Sequence, residues 1–227
     1  MIRACLFSLA LCSTVAQASI VITGTRVVYP SDAKEVSVKV SNKGQSPVLI
    51  QSWLDNGDTK ASPDQIKVPF VLTPPINRVE PSSGQTLRIR ALPNNLPKDK
   101  ESVFWLNVLE IPAKPKTQLS EKDNYLQVAF RSRIKFFYRP AGLKGSLAEA
   151  AKDLQWTRTA NGVRVKNASP YNISFVDITA GKKKVDGKML KPFGDATYAL
   201  PSFGGSHITA SYVNDYGAVV PLDFTVK

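Results

Sequence analysis

The sequence predicts an all-β protein built as two antiparallel β-sandwich domains. Three observations carry that expectation. Apolar and polar residues alternate with period two in both halves of the chain, turn-forming clusters separate these runs at short intervals, and only one short stretch suits a helix.

In the first half, Val36, Val38 and Val40 alternate with Ser37, Lys39 and Ser41, and Leu87 and Ile89 alternate with Arg88 and Arg90. In the second, Val163 and Val165 face Arg164 and Lys166, and Leu222, Phe224 and Val226 interleave with Asp223, Thr225 and Lys227. Such alternation puts one face of a strand in a core and the other in water. Asn42-Lys43-Gly44, Asp55-Asn56-Gly57-Asp58, Pro74-Pro75, Pro81-Ser82-Ser83-Gly84, Asn161-Gly162 and Phe203-Gly204-Gly205 supply the turns. Strands this short and regularly interrupted suit antiparallel sandwiches. From Ser146 to Leu154 a single turn or irregular structure is expected.

The first residues have the form of an export signal: Arg3, an apolar stretch from Ala4 to Val15, then Ala16-Gln17-Ala18. Residues 1–18 are therefore expected to be removed and the mature chain to be exported. Both cysteines, Cys5 and Cys12, fall in that segment, so the mature chain has no thiol for a disulfide, a metal site or a nucleophile. What is left exceeds one average domain and suits two. Arg139-Pro140-Ala141-Gly142-Leu143-Lys144-Gly145 reads as the linker. The expected domains are 19–142 and 143–227.

The net charge is +12, which favours acidic partners. Export argues against nucleic acid, and the basic residues are scattered except for Lys182-Lys183-Lys184, expected as a solvated loop. His207 is the only histidine, so a histidine metal site or a His-assisted nucleophile would have to be built around it, and an ordinary polar strand or loop position is expected instead. No phosphate loop, dinucleotide fingerprint or Gly-x-Ser-x-Gly elbow occurs. No enzyme, cofactor, metal or small-molecule substrate is therefore expected. Asn167-Ala168-Ser169 and Asn172-Ile173-Ser174 match a glycosylation sequon and are expected as ordinary turn and strand residues.

The segment from Leu126 to Pro140 is long for one strand. Leu126, Val128 and Phe130 share one face and Gln127, Ala129 and Arg131 the other, after a polar loop from Ala113 to Asn124. Alternation alone would make these three apolar residues part of the strand's own core.

Several ordered segments change that reading: Thr25-Arg26-Val27-Val28-Tyr29-Pro30, Thr73-Pro74-Pro75 with Arg78, Gly84-Gln85-Thr86-Leu87-Arg88-Ile89, and Leu96-Pro97. They continue with Glu101-Ser102-Val103-Phe104-Trp105-Leu106-Asn107-Val108-Leu109-Glu110-Ile111-Pro112, Ile134-Lys135-Phe136-Phe137-Tyr138-Arg139-Pro140, and Tyr212-Val213-Asn214-Asp215-Tyr216-Gly217. With these the chain resembles the periplasmic pilus chaperones of the chaperone/usher pathway, in their short-loop branch.

The resemblance implies two immunoglobulin-like β-sandwich domains set at an angle, as a boomerang with an interdomain cleft. It implies pilus subunits and an outer-membrane usher as partners, with Leu126, Val128 and Phe130 donated to the groove of a subunit that lacks its last strand. It gives Arg26 and Lys135 the subunit's C-terminal carboxylate, and Glu101, Arg139 and Asp215 an interdomain ion-pair network. A monomer is expected with a subunit bound, and a self-capping dimer when free. The rival reading is a two-domain immunoglobulin-like adhesin or binding protein of the periplasm or cell surface. Against it stand Trp53, Trp105 and Trp156, which sit in strand-like runs rather than exposed loops.

Overall fold

The computed structural model describes residues 19–112, 127–201 and 204–226. The export-signal segment, the 113–124 loop and Leu126 lie outside the described residues.

The first domain packs two sheets face to face. The four-stranded sheet has the order β1-β3-β7-β5, from Ile20–Ile22, Val36–Asn42, Gly84–Ala91 and Phe70–Thr73. The five-stranded sheet has the order β2-β9-β8-β4-β6, from Arg26–Pro30, Phe130–Arg139, Ser102–Pro112, Val48–Asp55 and Ile76–Val79. Val38, Val40, Leu87 and Ile89 point into the space between them, joined by Ile50, Leu106 and Val108. The predicted alternation therefore holds, with Ser37, Lys39, Arg88 and Arg90 exposed. An aromatic cluster closes the cleft end: the Phe70 ring lies 4.9 Å from Phe104 and 5.0 Å from Phe136, both edge-on, the geometry that ring quadrupoles favour.

The second domain sets the sheet β10-β11-β15, from Gln155–Thr159, Gly162–Lys166 and Asp195–Ala199, against β13-β12-β16-β17, from Lys183–Asp186, Ile173–Ala180, His207–Val213 and Val219–Thr225. The short β14, Met189–Leu190, also pairs with β12. Val163 and Val165 are buried beside Trp156, Ile173, Ile178, Ile208 and Tyr198. The two sequon asparagines are buried structural residues. Asn167 donates from Nδ2 to the carbonyls of Tyr171 and Lys191 at 2.8 and 2.9 Å.

Two local expectations need correcting. Ser146 to Leu154 is more than a single turn: Leu147–Lys152 forms helix α1. Ser146 caps it, its hydroxyl accepting from the Glu149 amide, and Leu147, Ala150 and Ala151 are buried on one side. The Ser146-x-x-Glu149 spacing is the capping-box signal that marks such a start. The lysine run is not wholly a loop either, because Lys183 and Lys184 open β13 and Lys184 pairs with Asp177 at 3.0 Å.

Candidate functional site: a cationic cleft beside an unpaired edge

Strand β9 carries the site because it passes from the sheet interior to its margin. Residues Lys135 to Arg139 lie between β8 on one side and the parallel β2 on the other, with Arg26 opposite Lys135 and Pro30 opposite Arg139. Before Lys135, β2 has not yet begun. From Phe130 to Ile134 the strand pairs only with β8, so among the described residues its second edge has no strand partner.

Alternation along β9 gives the two faces separate jobs. Ile134, Phe136 and Tyr138 face the domain core. Phe130 follows the same phase but has run beyond that core and is 62% exposed, and Val128 is 49% exposed. The strand itself begins at Phe130. Residues 127–129 lead into it without regular pairing, and Gln127 donates to the Pro112 carbonyl at 2.8 Å. Val128 and Phe130 are thus both exposed where the chain enters β9, and Leu126 lies outside the described residues.

The other face of β9 looks into the cleft. Arg26 Nη1 donates to the Val213 carbonyl of the second domain at 2.7 Å, and its guanidinium lies 5.7 Å from the buried Phe137 ring. Lys135 Nζ donates to Ser174 Oγ, also in the second domain, at 3.0 Å. Burial lowers the pKa of Arg26, though the charges of Asp215 and Glu101 partly hold it up. Burial, then the neighbouring Arg26 charge, lowers that of Lys135. An anion placed between these two half-buried cations would offset the desolvation of both and the repulsion that Arg26 exerts on Lys135. Arg26 Nε has no hydrogen-bond partner among the described residues although it is buried.

A second cluster joins the domains. Arg139 donates from Nε to Glu101 at 2.7 Å and from Nη1 and Nη2 to the two Asp215 oxygens at 2.8 and 2.7 Å. Glu101, buried, also accepts from the Asn172 amide at 2.8 Å, and the Glu101 amide donates to the Pro170 carbonyl at 3.0 Å. Burial alone would lower the pKa of Arg139, but Asp215 and Glu101 outweigh it and raise it well above its usual value. The guanidinium rests 5.2 Å from the Tyr171 ring. The loop bearing Asp215 comes close to β2: Gly217 has φ +86°, and a Cβ there would lie 2.6 Å from Thr25 Oγ1. Only glycine suits both the backbone and the gap.

The structure therefore gathers Arg26, Lys135, Glu101, Arg139 and Asp215 at one junction, with Val128 and Phe130 on the adjoining edge. The sequence reading missed Ser174, Asn172 and the Val213 carbonyl, which tie these groups to the second domain. No spacing signal could have found them, since each contact spans a separation set only by how the domains meet.

Two sandwiches flanking a charged cleft, with one edge strand partly unpaired, define a class of strand-presenting immunoglobulin-like proteins. Solved structures of the same build include the CupB2 chaperone of Pseudomonas aeruginosa, at TM-score 0.78 and 36% identity over 91% of this chain and all of that one. The Salmonella enterica SafB chaperone in complex with the SafA pilin gives TM-score 0.78 at 28% identity, covering 92% of this chain and 97% of the other. Among sequences, the probable fimbrial chaperone YadV of Escherichia coli K12 is 44% identical over 89% of this chain and 88% of its own length. Residues 19–144 match the PapD N-terminal domain of pili and flagellar-assembly chaperones, and residues 149–224 match the PapD C-terminal domain of pili-assembly chaperones. The chain belongs to this pili-assembly chaperone family.

Proposed function

We propose that this protein holds pilus subunits in the periplasm by lending them the free edge of β9, and passes them to an outer-membrane usher without nucleotide or covalent chemistry. The observation that carries the reading is the one-sided edge of β9 from Phe130 to Ile134, with Phe130 exposed on it and Val128 exposed just before it, a few residues from the Arg26–Lys135 pair of cations. An incomplete sandwich exposes a groove and a row of unsatisfied backbone groups, which would otherwise pair with further copies. A donated strand satisfies those groups, while alternate side chains fill the groove and set register.

The Arg26–Lys135 seat takes the subunit's terminal carboxylate and so fixes where pairing starts. Leu126 extends the donated row by one alternation. Glu101, Arg139 and Asp215 hold the two domains at the angle that keeps the seat open, with the domain boundary near Gly142. Residues 1–18 direct export. In the free protein the Val128–Phe130 edge caps itself by dimerising, and subunit binding releases a monomer.

Co-expression with pilins encoded nearby, followed by periplasmic co-purification, tests the reading. Wild type is expected to yield a one-to-one complex, and folded Arg26→Ala and Lys135→Ala variants to lose it. Equal recovery from all three would remove the carboxylate seat. For the free protein, sedimentation across a concentration series should show a dimer that Phe130→Asp abolishes, and a concentration-independent monomer would exclude self-capping.

A further inference from the structure

The cleft face of β9 carries another cation, Arg133, two residues before Lys135, and the proposed carboxylate seat does not use it. Its side chain crosses β8 to reach the end of β4. Arg133 Nη2 donates to Asp55 Oδ1 at 2.6 Å and Nε to Oδ2 at 2.9 Å. Asn107, opposite Arg133 on β8, donates to the same Oδ2 at 2.7 Å, and the Gly57 amide donates to Oδ1 at 2.7 Å. The guanidinium lies 4.5 Å over the Trp105 ring, and Trp105 is the cross-strand partner of Lys135. Gly57, at φ +114°, lets the chain turn against that ring, since a Cβ there would come within 3.1 Å of it. Nearer the free end, Arg131 donates to the Thr59 carbonyl at 3.3 Å. Both arginines of the unpaired stretch are thus tied to the chain at and after the end of β4.

Asp55 is buried, at 2% exposure. Burial raises its pKa, but hydrogen bonds from Arg133, Asn107 and Gly57 and the charge of Arg133 outweigh this and hold the carboxyl below its ordinary range. It is therefore a fixed anion under a half-buried guanidinium.

Two physical consequences follow. An edge stretch with a ladder on one side opens more readily than a strand with two neighbours, and the clamp ties that stretch across β8 to β4. An unpaired Arg133 would also stand as a cation about 6.6 Å along the strand from Lys135 on the same face. A subunit displaced by two residues keeps its apolar alternation, so a second anion seat at that spacing would tolerate the wrong register.

We propose that Asp55 is a positioning residue for subunit capture: by holding Arg133 it keeps the free stretch of β9 extended and leaves Arg26–Lys135 as the one seat that sets register. The inference rests on the strand-donation reading above. Two variants of the full-length protein separate its parts, because Asp55→Asn breaks the clamp and frees the cation, whereas Arg133→Gln breaks the clamp and removes the cation.

Hydrogen exchange on the free protein should show peptides covering 128–135 exchanging about tenfold faster in both variants, with β12 unchanged. The second readout is disulfide trapping between a cysteine at position 128 and cysteines scanned along the groove of a pilin that co-purifies with wild type. It should give one product for wild type and Arg133→Gln, and an additional product two residues away for Asp55→Asn. Unchanged exchange in both variants overturns the clamp. Identical trapping in all three proteins overturns the register role. If no pilin co-purifies with wild type, the strand-donation reading falls and the register role with it, while exchange still decides the clamp.

Discussion

The two halves of β9 share one alternation of faces, yet their fates are opposite. From Lys135 to Arg139 the strand has neighbours on both edges, and Phe136 is fully buried. From Phe130 to Ile134 it has one neighbour, and Phe130 stands mostly in solvent. The difference comes from where β2 begins and where the opposite sheet ceases to cover β9. Burial of a strand residue is a property of its neighbours as much as of its own side chain.

That contrast can be broken most sharply from the buried side. Phe136→Ala should cost about 3–5 kcal/mol, the usual range for removing a core phenylalanine, whereas Phe130→Ala should change the free protein's stability by less than about 0.5 kcal/mol. Thermal or denaturant unfolding checks both. Capture should invert the order of concern: Phe130→Ala leaves a folded protein that binds pilin weakly, because a side chain of this size contributes about 1.5–3 kcal/mol in an apolar groove before association costs. If Phe130→Ala instead unfolded the first domain, the two halves of the strand would be alike after all.

Next in size is the junction at the end of the buried half. Arg139→Ala leaves the buried Glu101 carboxylate without its cation, and loss of about 3 kcal/mol is expected, as for other pairs broken on one side. Small-angle scattering should show a broader spread of domain orientations. Unchanged scattering would assign the network to stability alone.

The cationic seat gives a pH prediction. Lys135 has a lowered pKa in the free protein, and a bound carboxylate would raise it again. Binding then favours the protonated form, so affinity is full below the free-state pKa and falls as pH rises through it. Pilin affinity measured toward alkaline pH should drop before an ordinary lysine would titrate, and Lys135→Arg should move the drop upward. The smallest effect belongs to the exposed surface: Arg164, paired with Asp195 at 3.0 Å, should leave the thermal unfolding midpoint essentially unchanged on replacement by alanine.

Much of this was legible in the sequence. The valines of β3 and β11 and the leucine and isoleucine of β7 announced their buried faces, since period-two alternation has one structural consequence when a single face is covered. Arg26, Lys135, Glu101, Arg139 and Asp215 were legible only through resemblance. Nothing in the spacing of Glu101, Arg139 and Asp215 states that one guanidinium will meet both carboxylates. Helix α1 was legible only in its Ser146-x-x-Glu149 start, because a stretch this short carries little helical periodicity. Asp55 was read as a turn residue, which its bond to the Gly57 amide bears out, but its pairing with Arg133 across 78 residues was invisible.

Local chemistry in the sequence sufficed for which residues face a core, where the chain turns, and a length that suits two sandwiches. Alternation, turn residues and chain length act over a few residues at a time and need no knowledge of partners. Only the tertiary structure decided which apolar face stays exposed, which cations share a seat, and which carboxylates neutralise which arginines. Those outcomes depend on strand ends, sheet order and the approach of one domain to the other, and electrostatic and packing energies follow distance in space rather than distance along the chain.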